Sequence, residues 1–159
     1  MSCTAFQGSQ GAYSGRPWGV EARRFATTVT RREAREQLGW PQDRPTLVTV
    51  RRLTRRMGLE SLIGAIKEVH GRAPEILLLV GGKGQLSKEL SARVLSLGLE
   101  KNVRFLGFVP DEQLPLAYRA ADLTVVPTVT LEGFGLIAVE SLAAGTPVLV
   151  TPVGDCPKW

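Results

Sequence analysis

Glu75-Ile-Leu-Leu-Leu-Val-Gly-Gly-Lys-Gly84 is the stretch whose reading decides the architecture. Its apolar run, Ile76 to Val80, shows no polar alternation and is far shorter than a buried helix. It therefore reads as a strand covered on both faces, as strands of parallel sheets are. The glycines that follow break it. Upstream, Thr46-Leu-Val-Thr-Val50 reads as another strand, and the spacing of Leu59, Leu62, Ile63, Ile66 and Val69 predicts a helix from about Gly58 to His70 between the two. Downstream the alternation continues. A helix runs from about Gln85 to Leu97 and stops at Gly98. A strand covers Asn102–Val109, and Asp111 caps a helix that reaches Ala121. Leu123–Pro127 is a strand, Gly135–Ala144 a helix, and Pro147–Thr151 a fifth strand. Strands alternating with helices predict an α/β fold, a Rossmann-like doubly wound parallel sheet.

The 159 residues, 43% apolar and 22% charged, suit a single globular domain rather than a disordered or membrane-embedded chain. No apolar run reaches the roughly 20 residues of a spanning helix. Residues 1–18, rich in Gly, Ser and Gln, are expected to be a flexible segment. Residues 19–44 are expected to be a linker bearing a short charged helix, 31–39, lying on the surface, and 45–159 the sheet domain. The N-terminus lacks the pattern of a secretory signal. Cys3 and Cys156 lie at opposite ends, without disulfide-framework or metal-ligand spacing, which predicts a cytoplasmic protein. The net charge of +5 is unevenly spread: residues 1–56 carry +7 and the remainder −2. Such a basic segment serves any polyanion, from DNA to a single diphosphate. A nucleic-acid-binding module using residues 16–56 is one reading, weakened by the acidic remainder and by the lack of interleaved aromatics.

Open parallel sheets bind ligands beyond the carboxyl ends of their strands, which selects the loops after Val50, Val80, Val109 and Pro127. After the first strand, Arg51 and Arg52 offer guanidinium forks that match phosphate oxygens. After the second, Gly82-x-Gly84 imitates a dinucleotide fingerprint, but Ser87 stands where its third glycine belongs, so an oxidoreductase domain is a weaker alternative. Near the fourth, Glu132-Gly133-Phe134-Gly135-Leu-Ile-Ala-Val-Glu140 places two carboxylates eight residues apart around a Gly-x-Gly at a helix start, where an anion is favoured. Glu60 and Glu68 share that spacing without glycines, so the pair also arises by chance. His70 closes a helix and reads as a partner of its dipole. No metal cluster or Walker-type phosphate loop is present in the sequence.

Taken together these motifs resemble the retaining, two-domain glycosyltransferases of family 4, the glycosyl transferases group 1, with the GT-B fold. The resemblance spans about Pro17 to Pro157. It rests on Arg52-Leu53, the Leu79–Gly84 strand and loop, Val103–Val109, Pro110–Ala121, Asp122–Pro127, the pair Glu132 and Glu140, and Ala143-Ala-Gly-Thr-Pro-Val148 in the family's order. It implies the donor-binding half of such an enzyme, with a nucleoside diphosphate sugar as substrate and no metal or other cofactor. By resemblance, Arg52 grips the diphosphate near the glycine loop of Gly81 and Gly82, and the backbone of Gly107, Phe108 and Val109 faces the base. Glu140 bonds the ribose. The catalytic Glu132, with Gly133, Phe134 and Gly135, holds the transferred sugar. Met57 stands where the family has a diphosphate-binding lysine, and Arg55 or Arg56 is expected to substitute. The family's acceptor-binding first domain and closing C-terminal segments have no counterpart in these residues. The chain is accordingly expected to be a truncated or partial enzyme, inactive alone, with any peripheral membrane contact made through the first domain.

Overall fold

The structure, a computed structural model, describes residues 22–130 and 135–152. Five strands form one sheet: β1 (Thr46–Val50), β2 (Leu77–Gly81), β3 (Val103–Gly107), β4 (Leu123–Val126) and β5 (Val148–Val150). Their order is β3-β2-β1-β4-β5 and every pairing is parallel. The expected strands are thus present, shortened or shifted by a residue or two. All of β2 is buried, as its unalternating sequence requires.

The helices are α1 (Ala22–Phe25), α2 (Arg31–Leu38), α3 (Leu59–His70), α4 (Ser87–Ser96), α5 (Leu114–Ala120) and α6 (Leu136–Ala143). They cover both faces of the sheet, and each face has its own core. On one, Leu59, Ile63 and Ile66 of α3 and Leu90 of α4 pack on Leu78 and Val80. On the other, Ala117 and Tyr118 of α5 pack with Phe25, Ala34, Trp40, Leu77 and Leu79. The strand period of two sends alternate β2 residues to opposite cores. Burying each such side chain stabilises the fold by about 1.5–3 kcal/mol. Val69, expected on the apolar stripe of α3, is 41% exposed.

Two expectations need correction. The charged helix α2 is not a surface piece. Thr30 and Glu33 close a capping box at its start, Ala34 is fully buried, and the helix packs on α5. Arg35, 5% exposed, donates to the carbonyls of Ala120, Gln42 and Arg44 and, at 2.7 Å, to the Asp122 carboxylate. Asp122 also accepts from the Thr46 N–H and pairs with Arg31, fastening the start of β1 to the start of β4. A linker reading of residues 19–44 overlooks this, because the segment's buried anchors are an arginine and single apolar residues without periodicity. Nor does Asp111 cap α5. The cap position is Gln113, with no side-chain capping bond, while Asp111 faces Arg24 at 3.7 Å.

Among the described residues, no helix is long and apolar enough to cross a membrane, and no group of three His, Cys, Asp or Glu could hold a metal ion. Cys3 and Cys156 lie outside the described residues.

Gly39 and Gly58 separate backbone strain from lack of space. Both have positive φ, 64° and 70°. A methyl group at Gly39 would meet nothing within 4 Å, whereas at Gly58 it would collide with the Pro127 carbonyl. Gly39→Ala should cost about 1–2 kcal/mol, the strain of a left-handed residue. Gly58→Ala should cost clearly more, because the loop after β4 must also move. Urea unfolding of both variants measures this, and equal costs would show that the close approach does not hold the two loops together.

Candidate functional site

A parallel sheet brings the carboxyl ends of all its strands to one edge. The strand order reverses between β1 and β4, so their ends frame the crevice where such sheets take ligands. Arg51 and Arg52 leave β1 there and diverge. The Arg51 side chain is 8% exposed and its Nη1 donates to Thr128 Oγ1 at 2.7 Å, across the crevice floor. Arg52 is exposed. Of the two, Arg52 offers its guanidinium to solvent, and Arg51 joins the end of β1 to the loop after β4.

The 3-10 turn Arg55–Met57 follows. Arg55 lies between two carboxylates, 3.2 Å from Glu60 of α3 and 3.3 Å from Glu89 of α4. These are exposed pairs of small energetic weight, yet they draw the charge toward the helices. The Arg56 carbonyl accepts from the Val129 N–H. Met57 is buried in the α3 core.

The glycine loop after β2 is occupied by its neighbours. Side chains at Gly82 and Gly84 would collide with the backbones of Arg51 and Leu53. Leu53 donates to the Lys83 carbonyl and accepts from the Leu86 N–H, and the Gly82 N–H bonds the Gly107 carbonyl at 2.6 Å. This packing accounts for both glycines without a dinucleotide. Gly81 ends β2 against Val109 and Val50, and Gly107 ends β3. Phe108 is 64% exposed, with the Lys83 ammonium 5.8 Å from its ring centre. Gly107, Phe108 and Val109 thus line the β2–β3 side of the same edge.

On the other side Gly135 caps α6 with φ 65°, and Glu140 follows in the second turn, half-buried. Its Oε2 accepts a 2.9 Å hydrogen bond from the Tyr118 hydroxyl. Burial holds the Glu140 carboxyl above the ordinary glutamate range, against the opposing pull of the Tyr118 hydrogen bond and of Arg24, with Asp111 adding to the rise. Burial likewise pushes the Tyr118 phenol up, and the Glu140 charge pushes it further. Glu132, Gly133 and Phe134 lie outside the described residues.

The structure therefore brings Arg52, Gly81, Gly82, Gly107, Phe108, Val109 and the α6 start to one edge. Glu68 lies on α3, which begins at that edge and runs back toward the opposite one. Thr128, Tyr118 and Arg24 also belong to the site. Sequence reading passes over them because a lone threonine, tyrosine or arginine carries no motif. Their placement depends on contacts made between segments far apart in the chain.

The model of the family described as "Glycosyl transferases group 1" matches residues 30–158. The chain is 38% identical over 145 residues to mannosylfructose-phosphate synthase of Agrobacterium fabrum, covering 85% of this chain and 31% of that protein. It is 34% identical over 149 residues to the GDP-mannose-dependent alpha-(1-6)-phosphatidylinositol monomannoside mannosyltransferase of Mycolicibacterium smegmatis, covering 89% and 39%. Among solved structures, Anabaena HepE in complex with UDP and glucose superposes with a TM-score of 0.77 at 27% identity, over 88% of this chain and 38% of that one. The chain spans about a third of the length of these proteins.

The raised Glu140 carboxyl has a defined consequence for stability. A folded state that holds the proton more tightly than the unfolded chain loses stability as pH rises from about 4.3, the unfolded value, through the folded one. Glu140→Gln keeps an acceptor for Tyr118 and removes the titration. The stability of Glu140→Gln relative to wild type should therefore be greater at pH 7 than at pH 4. Urea unfolding at the two pH values checks the sign, and the opposite order would mean that the ionised carboxylate is stabilised in place.

Proposed function

The chain belongs to the glycosyl transferases group 1 family, and from that premise we propose that it forms the donor half of a retaining glycosyltransferase. This half would bind a nucleoside diphosphate sugar and present its hexose to a glycan, lipid or small-molecule acceptor held by another domain. The reading is carried by the arrangement at one edge, where the exposed Arg52 leaves the reversal of strand order and α6, which bears Glu140 in its second turn, begins. The nucleotide lies across the ends of β1 and β4. Arg52 grips the diphosphate, Glu140 accepts from the ribose hydroxyls, and the backbone of Gly107–Val109 faces the base. The α6 N-terminus, preceded by Glu132, Gly133, Phe134 and Gly135, holds the transferred sugar. Solved relatives in complex with UDP, and with UDP-glucose, support a uridine or similar nucleotide at such a site.

The chemistry asked of these residues is electrostatic. Negative charge grows on the departing nucleoside diphosphate, and a guanidinium with helix-end N–H groups facing it lowers the barrier. With Met57 buried, Arg52 supplies cationic charge on the β1 side together with Arg55 or Arg56, which are also exposed. Transfer requires donor and acceptor held together, so turnover is assigned to this half joined to an acceptor-binding domain, in the cytoplasm. This half by itself should bind nucleotide without transferring sugar.

Calorimetry with nucleoside diphosphates tests the reading. Glu140→Ala removes an ionised acceptor, an interaction of roughly 1.5–3 kcal/mol, and should lower affinity about 10- to 100-fold. Glu68→Ala, on the far part of α3, should leave it unchanged. Arg52→Ala should weaken diphosphates far more than the bare nucleoside, since only the former presents anionic oxygens. Equal losses at Glu68 and Glu140, or none at Glu140, would overturn the assignment.

A further inference from the structure

We propose that Tyr118 is a positioning residue for the nucleotide site: its buried hydroxyl aims the Glu140 carboxylate at the ribose and so sets the preference for a ribose over a sugar lacking those hydroxyls. The proposal rests on the reading of Glu140 given above and adds a residue to it. Tyr118 is among the largest fully buried side chains, 1% exposed, and touches no solvent from which a ligand could reach it. Its place is fixed from three sides. The ring meets Phe25 of α1 at 6.0 Å between centroids, and the backbone carbonyl accepts from Thr146 Oγ1 at 2.8 Å in the turn after α6. The hydroxyl donates to Glu140 Oε2 at 2.9 Å. A phenol in such surroundings has little rotational freedom, so the carboxylate it bonds is held as well.

A phenol O–H has one proton to give, and Tyr118 gives it to Oε2. The remaining acceptor capacity of the carboxylate, on Oε1 and on the free lone pair of Oε2, is what two neighbouring hydroxyls of a ribose would use. Without the phenol the half-buried carboxylate would turn among several rotamers, and each bond to a ligand would first have to order it. The charged groups that act on the Glu140 carboxylate are Arg24 of α1 and Asp111 of the loop after β3, with Arg51 acting on the phenol from the end of β1. Arg24 and Asp111 face each other at 3.7 Å and their charges oppose one another at Glu140. The tyrosine is thus the neighbour that supplies direction as well as charge stabilisation.

The experiment uses the full chain, with UDP, GDP and their 2′,3′-dideoxy counterparts as probes, in calorimetry on wild type, Tyr118→Phe and Glu140→Gln. A carbon-13 NMR titration follows the Glu140 carboxyl in wild type and Tyr118→Phe. Tyr118→Phe should lose roughly 2- to 12-fold in affinity for the ribose form and almost none for the dideoxy form, the span of one ordinary hydrogen bond. Its Glu140 midpoint should move up, because a bond that favours the ionised form is gone; a purely structural role for the ring would not move it. If wild type does not distinguish ribose from dideoxyribose, the donor-site reading fails and the proposal with it. If wild type and Glu140→Gln differ as expected but Tyr118→Phe keeps both the ratio and the midpoint, only the proposal is overturned. Should Tyr118→Phe not fold, 3-fluorotyrosine incorporated at the chain's two tyrosines, Tyr13 and Tyr118, keeps the ring and makes the hydroxyl a stronger donor. The Glu140 midpoint should then fall, and an unchanged midpoint would refute the assignment.

Discussion

Backbone packed directly on backbone, with glycine as the only residue that fits between, holds the carboxyl edge of this sheet, the candidate ligand edge, together. Gly82 lies against Arg51, Gly84 against Leu53, and Gly58 against Pro127, so the loops after β1, β2 and β4 touch without intervening side chains. Hydrogen bonds from Leu53 to Lys83, from Leu86 to Leu53 and from Gly82 to Gly107 complete the junction. The β1 and β2 side of the candidate site depends on this closeness. It sets where Arg51 and Arg52 leave the sheet, and it brings Phe108 within reach of Lys83. Loops on the surface of a fold are normally its most mobile parts; here each is tied to the next, so the candidate ligand groups are held by the scaffold itself.

The opposite edge is secured by charge. Arg35 is buried and satisfied by three carbonyls and the Asp122 carboxylate, and Asp122 in turn receives the first N–H of β1. A buried guanidinium is tolerated because four of its five N–H groups meet an acceptor, one of them a carboxylate; losing that carboxylate would leave a costly buried charge. The sheet therefore has a polar anchor at its amino edge and a glycine-packed carboxyl edge. The two kinds of constraint divide the work: the first aligns β1 with β4, and the second shapes the crevice between their ends.

Arginine plays three different parts within a short span of chain. Arg51 bridges to Thr128 and belongs to the scaffold, Arg52 faces solvent at the crevice, and Arg55 is drawn to Glu60 and Glu89. Arg51 and Arg52 follow the last residue of β1 and diverge there, one side chain buried and the other exposed, so the adjacent arginines take different roles. Among the described residues the basic segment is not a single surface for a polyanion: Arg35 is internal, and Arg24, Arg31 and Arg55 each face a carboxylate.

The sequence by itself determined the parallel α/β sheet, because Leu77–Val80 has no polar residue to turn toward water and Leu59, Leu62, Ile63 and Ile66 keep a helical period. It also determined which loops share the candidate ligand edge, since parallel strands place their carboxyl ends together, and it carried the family in an ordered series of short motifs. Patterns of this kind are local, and local patterns are what a sequence displays. Only the tertiary structure decided that α2 belongs to the core, that Met57 is buried, that Gly82 and Gly84 serve packing, and that Tyr118 meets Glu140. Arg35 with Asp122 and Tyr118 with Glu140 are contacts across 87 and 22 residues. Such pairs leave no periodicity in the chain; they exist because the sheet brings distant segments to the same edge.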